Sequence, residues 1–272
     1  MARSPRRFQI VLVFVSTCIL FASAFKSKWT ESRNRPEQLS QQEQPDKLVL
    51  SRVISTRARS FTLRTKHVTY RPRGILNSEA LAFLSMCDLF NVTHVLESGT
   101  ANGYSTELFS AYLPQHVSIT TIDFDEKYGV YEKTKSRLSG HSRIHFQKGD
   151  SNKLLPAILL SLPADSRIGV FIDGPKGTRA LALAKSICQY ETLSFVSIHD
   201  VAEYQYADVY SQVREWDALV FDTTERWYRR MFGHMDDEIL RMKFSDARKN
   251  EQMSLVQSQG YGLAVAIPRG LG

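Results

Sequence analysis

The chain has 272 residues, 43% of them hydrophobic and 23% charged, with 14 Gly and 9 Pro. That composition excludes a collagenous, low-complexity or wholly disordered protein and leaves room for one well-buried domain of about 200 residues. The formal charge of +7 sits at the N-terminal end: Met1–Phe25 carries three basic and no acidic residues, 26–75 carries 12 basic and 4 acidic, and 76–272 nets −4. With no nucleic-acid-binding signature beside it, this distribution argues against DNA or RNA as a partner.

Arg3, Arg6 and Arg7 precede the uncharged run Phe8–Phe25 (FQIVLVFVSTCILFASAF), and Lys26 and Lys28 follow it. A basic flank before an apolar core marks residues 1–25 as a signal anchor or signal peptide, with delivery to the secretory pathway. Ala22-Ser23-Ala24 has the small-x-small form of a cleavage site, which would yield a secreted chain. The whole run approaches a minimal membrane span, which would yield a single-pass type II membrane protein of the Golgi or ER. Both outcomes place the remainder in the lumen or outside. Residues 26–75, rich in Gln, Arg and Ser, read as a stalk or linker, which favours the anchor. Cys18 lies in the apolar run, and Cys87 and Cys188 are expected as packed free thiols. Asn91-Val92-Thr93 is an N-glycosylation sequon.

The remaining stretch, 76–272, is expected to be the catalytic domain. A helix is predicted over Asn77–Phe90, with Glu79 in its first turn. Strands are predicted over Thr93–Glu97, Val117–Asp123, Arg143–Lys148, Ile168–Asp173, Leu193–His199, Ala218–Phe221 and Tyr261–Ile267. Further helices are predicted over Ser105–Leu113, Glu126–Leu138, Ser151–Leu160, Thr178–Tyr190 and Ala207–Trp216. Five consecutive strand-helix alternations imply an α/β fold: a doubly wound, Rossmann-like sheet of about seven mostly parallel strands, the last antiparallel, with helices on both faces. Thr223–Met253 is an insertion before the last strand. Its Trp227, Tyr228, Met231 and Phe232 read as a packed amphipathic helix near the acceptor, with Arg226, Arg229 and Arg230 open to an acidic substrate.

In such a sheet the ligand lies beyond the carboxyl ends of the strands. The first strand runs into Glu97-Ser98-Gly99-Thr100-Ala101-Asn102-Gly103-Tyr104-Ser105, where the glycines permit a tight turn at a helix N-terminus. The spacing is GxxxG and not GxGxxG, which disfavours a dinucleotide. The second strand ends in Asp123, an acid placed to accept from both ribose hydroxyls, and the third in Gly149-Asp150-Ser151. The fourth ends in Asp173-Gly174-Pro175-Lys176-Gly177 and the fifth in His199-Asp200.

This ordered set resembles the class I S-adenosylmethionine-dependent methyltransferases, above all the catechol-type O-methyltransferases, over about Asn77 to Pro268. VLESGTANGYST is similar to that branch's first motif, TTIDFD to its ribose-binding acid motif, KGDSNKLLP to its adenine-side loop, and IDGPKG keeps its D-x-x-K spacing. The resemblance implies S-adenosylmethionine as cofactor, held by Glu97, Gly99, Gly103, Ser105, Asp123, Asp150 and Ser151. It implies Asp173 and Lys176 as the catalytic pair, the lysine as general base with a pKa lowered by its surroundings. It also implies a divalent ion at Asp173; Asp200, a hard oxygen donor suited to Mg²⁺ or Mn²⁺, and His199 are the further candidate ligands. His199-Asp200 departs from the Asp-Asn pair of that branch. With IDGPKG, the IHDV segment also resembles methyltransferase-like proteins that include plant enzymes methylating glucuronic acid on xylan in the Golgi, although these tend to have arginine where Lys176 stands.

The expected function is therefore O-methyl transfer to a small-molecule or glycan acceptor in the secretory pathway. Two alternatives remain: a non-catalytic lumenal binding protein on the same fold, and a nucleotide-sugar or NAD-dependent Rossmann enzyme.

Overall fold

A computed structural model of the chain describes residues 39–72, 74–124, 129–202, 207–243 and 261–268. The apolar run Phe8–Phe25, Cys18 and the 244–253 part of the insertion lie outside the described residues. Among the described residues no helix is long and apolar enough to cross a membrane.

Among the described residues seven strands form one sheet: β1 (His94–Ser98), β2 (Ser118–Asp123), β3 (Ile144–Lys148), β4 (Ile168–Ile172), β5 (Leu193–Ile198), β6 (Leu219–Asp222) and β7 (Ala264–Ala266). Their order is β3-β2-β1-β4-β5-β7-β6, and β7 runs antiparallel to both neighbours. The helices are α1 (Leu39–Thr65), α2 (Asn77–Leu89), α3 (Tyr104–Tyr112), α4 (Val130–Leu138), α5 (Ser151–Ser161), α6 (Thr178–Ile187), α7 (Ala207–Arg214), α8 (Arg226–Phe232) and α9 (Asp237–Lys243). The expected architecture is present, and the winding reverses between β1 and β4, the pair of neighbouring parallel strands from which the chain departs in opposite directions.

The period-2 alternation of the strands sorts the core into two layers. Val95, Phe171 and Phe195 point to the face covered by α2 and α3, where Phe83 makes ring contacts with Phe109, Phe171 and Phe195, and Phe109 with Phe171, centroids 4.7–5.4 Å apart. Leu96, Val170, Ile172, Val196 and Ile198 point to the other face, against Leu155, Leu181 and Ala184. Cys87 is buried in the first layer and Cys188 packs on the second, so the sheet separates two free thiols, as expected.

The stalk expected over 26–75 needs correcting. Leu50, Ile54 and Phe61 of α1 recur on one helical face and are buried in the first layer. Arg57 pairs with Asp88 at 2.8 Å, and Arg64 donates to the Tyr112 carbonyl at 2.6 Å. Part of the basic excess is therefore spent inside the domain. The last strand is also shorter than expected. Tyr261 and Gly262 give their N–H groups to the Glu79 carboxylate, and Leu263 gives its own to Thr223 Oγ1, so the ladder starts only at Ala264.

The insertion folds as α8, a 3₁₀ turn over Gly233–Asp236, and α9. Tyr228 and Phe232 are buried as expected, but Arg229 is not open to a substrate. Its guanidinium lies 2.9 Å from Asp236 and 3.0 Å from Ser78 Oγ, and Asp236 accepts the Ser78 N–H at 2.8 Å. An unpartnered buried guanidinium would be costly, so the cation is committed to docking this segment on the N-terminus of α2.

Candidate active site

The turn after β1 and the turn after β4 pack backbone to backbone. A Cβ on Gly99 (φ +97°) would stand 2.6 Å from Gly174 N, and one on Gly174 would stand 2.5 Å from Ser98 Oγ. Two glycines are thus required where the chain reverses, and a valine at Gly99 would break this turn contact before it could obstruct any ligand. Beside the turns opens a cleft of about 750 Å³, lined among others by Gly99, Asp123, Phe124, Asp150, Ser151 and Lys176. That volume suits a small-molecule cofactor.

Four of the seven expected cofactor residues line the cleft. Asp123 accepts the Ala101 N–H at 2.6 Å, which ties the loop after β1 to the end of β2. Asp150 caps α5, accepting from the backbone and side-chain nitrogens of Asn152 at 2.9 and 2.8 Å, and these bonds hold its pKa below the ordinary carboxylate range. Ser98 donates to Ser151 Oγ at 2.6 Å.

The other three, Glu97, Gly103 and Ser105, stand behind the loop and not among the residues that line this cleft. Glu97 shares the inward face of β1 with Val95, is wholly buried, and accepts from the hydroxyls of Ser105 and Thr106. Burial pushes its pKa up to about 7 against the lowering effect of those hydroxyls. Gly103 (φ +70°) faces α4, where a Cβ would meet Thr134 at 2.5 Å. These three shape the loop from below.

Past the cleft, the ends of β4 and β5 meet in an ionic cluster. Lys176 donates to both Asp173 and Asp200. His199 Nδ1 lies 2.7 Å from Asp173 Oδ1 and 3.1 Å from Asp200 Oδ1, while its Nε2 lies 2.9 Å from Glu79 Oε2. Asp200 sits at φ +59°, a left-handed conformation costing roughly 1–2 kcal/mol in a residue with a Cβ. The cluster holds it there and turns its carboxylate toward both cations.

The protonation states follow from this geometry. Burial alone would lower His199, but Asp200, Asp173 and Glu79 outweigh it and raise its pKa to about 10. Burial likewise works against the Asp173 carboxylate, and the His199 and Lys176 charges overcome it, leaving the group well below its usual range. The lowered pKa expected of Lys176 is not found. Desolvation acts in that direction, but the two carboxylates outweigh it and hold the ammonium well above its ordinary value.

Asp173, His199 and Asp200 offer ligand atoms within 4.8 Å of one another. Two carboxylate oxygens and one imidazole nitrogen whose far side is braced by a carboxylate form a donor set that fits a divalent cation. The nitrogen suits Mn²⁺ better than Mg²⁺. Lys176 competes with any such ion for the same oxygens.

Two residues here were missed in the sequence. Glu79 reads as an ordinary first-turn acid, and it does accept the Leu76 N–H at 3.0 Å. Its fully apolar neighbours, Leu76 and Ala80 to Leu84, were the available hint that the carboxylate turns inward. Lys243 of α9 lies with Nζ 4.5 Å from the Tyr261 ring centroid and 3.0 Å from the Gly74 carbonyl. Burial lowers its pKa although Glu79, Asp200 and Asp173 act to raise it.

Residues 56–181 match the sequence model of a family described as O-methyltransferase. No curated protein matches the chain. Among solved structures, it is similar to the O-methyltransferase of Bacillus cereus in complex with SAH (16% identity, 64% of this chain and 81% of that one, TM-score 0.44). It is also similar to the O-methyltransferase TomG of Streptomyces achromogenes, involved in tomaymycin synthesis, in complex with SAM (17%, 80% and 90%, TM-score 0.43). A third similarity is to a methyltransferase of Geobacter sulfurreducens (11%, 91% and 97%, TM-score 0.45).

Proposed function

We propose that this chain, whose residues 56–181 match the O-methyltransferase family model, is an S-adenosylmethionine-dependent O-methyltransferase that methylates a hydroxyl of a small-molecule or glycan acceptor in the lumen of the secretory pathway. The observation that carries the site assignment is the continuity of the cleft: Asp123 and Asp150 stand on its wall, and the same wall includes Lys176, next to two carboxylates.

S-adenosylmethionine, when bound, supplies a methyl group on a positively charged sulfur. Asp123 receives the ribose hydroxyls, and the Gly99 turn lets the backbone approach the ligand closely. Lys176 receives the acceptor's hydroxyl proton once its own ammonium has been discharged. Asp173 and Asp200 keep the lysine aimed at the acceptor. Mn²⁺, held by Asp173, His199 and Asp200, would supply a Lewis-acidic centre that lowers the pKa of the acceptor hydroxyl.

Transfer of a labelled methyl group from S-adenosylmethionine to a cell-surface extract tests the activity. Absence of any labelled product with folded, cofactor-binding protein favours the non-catalytic alternative. Protease protection in sealed microsomes tests the lumenal orientation, and N-terminal sequencing of the mature chain distinguishes the anchor from cleavage after Ala24.

Cofactor affinity is expected to depend on Asp123. Asp123→Ala removes a charged acceptor and should cost roughly 1.5–3 kcal/mol, one to two orders of magnitude in Kd by calorimetry. Unchanged affinity in a folded variant removes the ribose assignment. Metal affinity should depend on pH. With a folded pKa of about 10, His199 carries a proton on Nδ1 at neutral pH that ligation must displace. Mn²⁺ affinity should therefore rise about tenfold per pH unit between about pH 7 and 9. A flat dependence excludes His199 as a ligand, and full turnover in excess EDTA removes the metal from the mechanism.

A further inference from the structure

Glu79 accepts four hydrogen bonds while its side chain is fully buried. The donors are Leu76 N at 3.0 Å, Tyr261 N at 3.2 Å, Gly262 N at 3.0 Å and, on the oxygen shared with Leu76, His199 Nε2 at 2.9 Å. Capping α2 requires only the first of these. The others join the start of α2 to the end of β5 and to the turn entering β7, segments that meet nowhere in sequence.

Three of the donors are backbone N–H groups, which can only donate, and an ionised carboxylate can only accept. The fourth contact therefore assigns a proton to His199 Nε2. It leaves Nδ1 as the ring atom facing Asp173 and Asp200, at 2.7 and 3.1 Å. The ring is also held between Phe171 and Tyr261, with centroids 6.0 and 6.5 Å away. A flipped ring would present C–H groups to Glu79 and to the two aspartates, forfeiting every polar contact it makes.

We propose that Glu79 is a positioning residue of this active site: it holds the Nε2 proton and fixes the aim of His199, so that Nδ1 is always presented to the Asp173–Asp200 pair. The inference deepens the proposed function and rests on that reading only for the kinetic consequence. The orientation of the ring stands on the hydrogen-bond geometry. Glu79 acts on the reacting groups through His199 and touches neither acceptor nor cofactor.

The test uses the full chain with ¹⁵N-labelled histidine, free of metal, and the variant Glu79→Gln. The glutamine oxygen can still accept from Tyr261 and Gly262, while its amide NH₂ faces His199 and donates. The wild-type spectrum should show a slowly exchanging proton on His199 Nε2, and the variant should lose it, with the ring moving to the Nδ1–H form. Mn²⁺ affinity by calorimetry should fall about 10- to 100-fold, the usual effect of losing a ligand's outer hydrogen-bond partner. In turnover, kcat should fall at least tenfold with KM for S-adenosylmethionine changed less than twofold. In a His199→Asn background, Glu79→Gln should add nothing further to the loss of kcat.

An Nε2 proton that persists in the variant overturns the proposal, as does an additive loss of kcat in the double variant. If Glu79→Gln does not fold, the wild-type spectrum alone decides, because an imidazole protonated only on Nδ1 contradicts the assignment. If no acceptor is ever turned over, the spectra still test the role of Glu79 while the functional reading fails separately.

Discussion

Lys176→Met should lower kcat by about 10² to 10⁴ while leaving affinity for S-adenosylmethionine within about twofold of the wild type, the span expected for losing a positioned proton acceptor. The loss has a pH signature. Because Asp173 and Asp200 outweigh desolvation and raise the lysine's pKa, the fraction of neutral amine is small at neutral pH. It grows about tenfold for each unit up to the raised pKa. The wild-type kcat should climb steadily through about pH 7 to 10, and the variant's residual rate should lose that slope. Cofactor binding by calorimetry serves as the control for folding, since the substitution leaves two neighbouring carboxylates with His199 as their remaining cation. A normal kcat in the folded variant, or a slope that survives the substitution, removes Lys176 from proton transfer.

A chain starting at Leu76, the boundary expected from composition, should fail to yield a stable soluble domain, whereas one starting at Leu39 should fold cooperatively. The truncation removes α1 and uncovers the first core layer, into which Leu50, Ile54 and Phe61 insert with at most 3% of their surface exposed. Burial of three such side chains contributes roughly 5–9 kcal/mol. A domain has only about 5–15 kcal/mol of net stability in all. The truncation also strips the Arg57 partner from Asp88. Thermal melts of the two chain lengths measure the difference, and equal melting temperatures would show α1 to be an accessory and the linker reading to be adequate.

The two results concern opposite ends of what the sequence conveys. α1 was missed because residues 26–75 are dominated by Gln, Ser and Arg, and the apolar run Leu48–Ile54, with Phe61 beyond it, is too short to mark a buried helix by itself. Their helical spacing becomes meaningful only once α2 and α3 are known to present an apolar surface for them. Arg229 is a similar case. An arginine beside Trp and Tyr in an insertion reads as solvent-facing, and only the approach of Ser78 and Asp236, from helix and turn segments far apart in sequence, gives it an internal partner.

The sequence by itself determined the α/β class, the seven strands to within a few residues, and the fact that chemistry-bearing residues gather at the strand ends. Burial of a strand on both faces imposes apolar runs, and a turn beside a ligand imposes glycine, so both leave local marks. It also determined that Asp173, Lys176, His199 and Asp200 belong to consecutive strand ends. Only the tertiary structure decided what those residues do to one another. Lys176 lies between two carboxylates and is held more basic, the reverse of the expected lowering. Glu97 lies beneath its loop because the strand's alternation turns it to the same side as Val95, under α3. Glu79 reaches His199 across 120 residues of chain because the strand order brings β5 and β7 together at the start of α2. Periodicity records which face of an element is buried, and nothing in it encodes which distant polar group shares that burial; the pairing, and with it every charge state in the site, exists only when the sheet has closed around it.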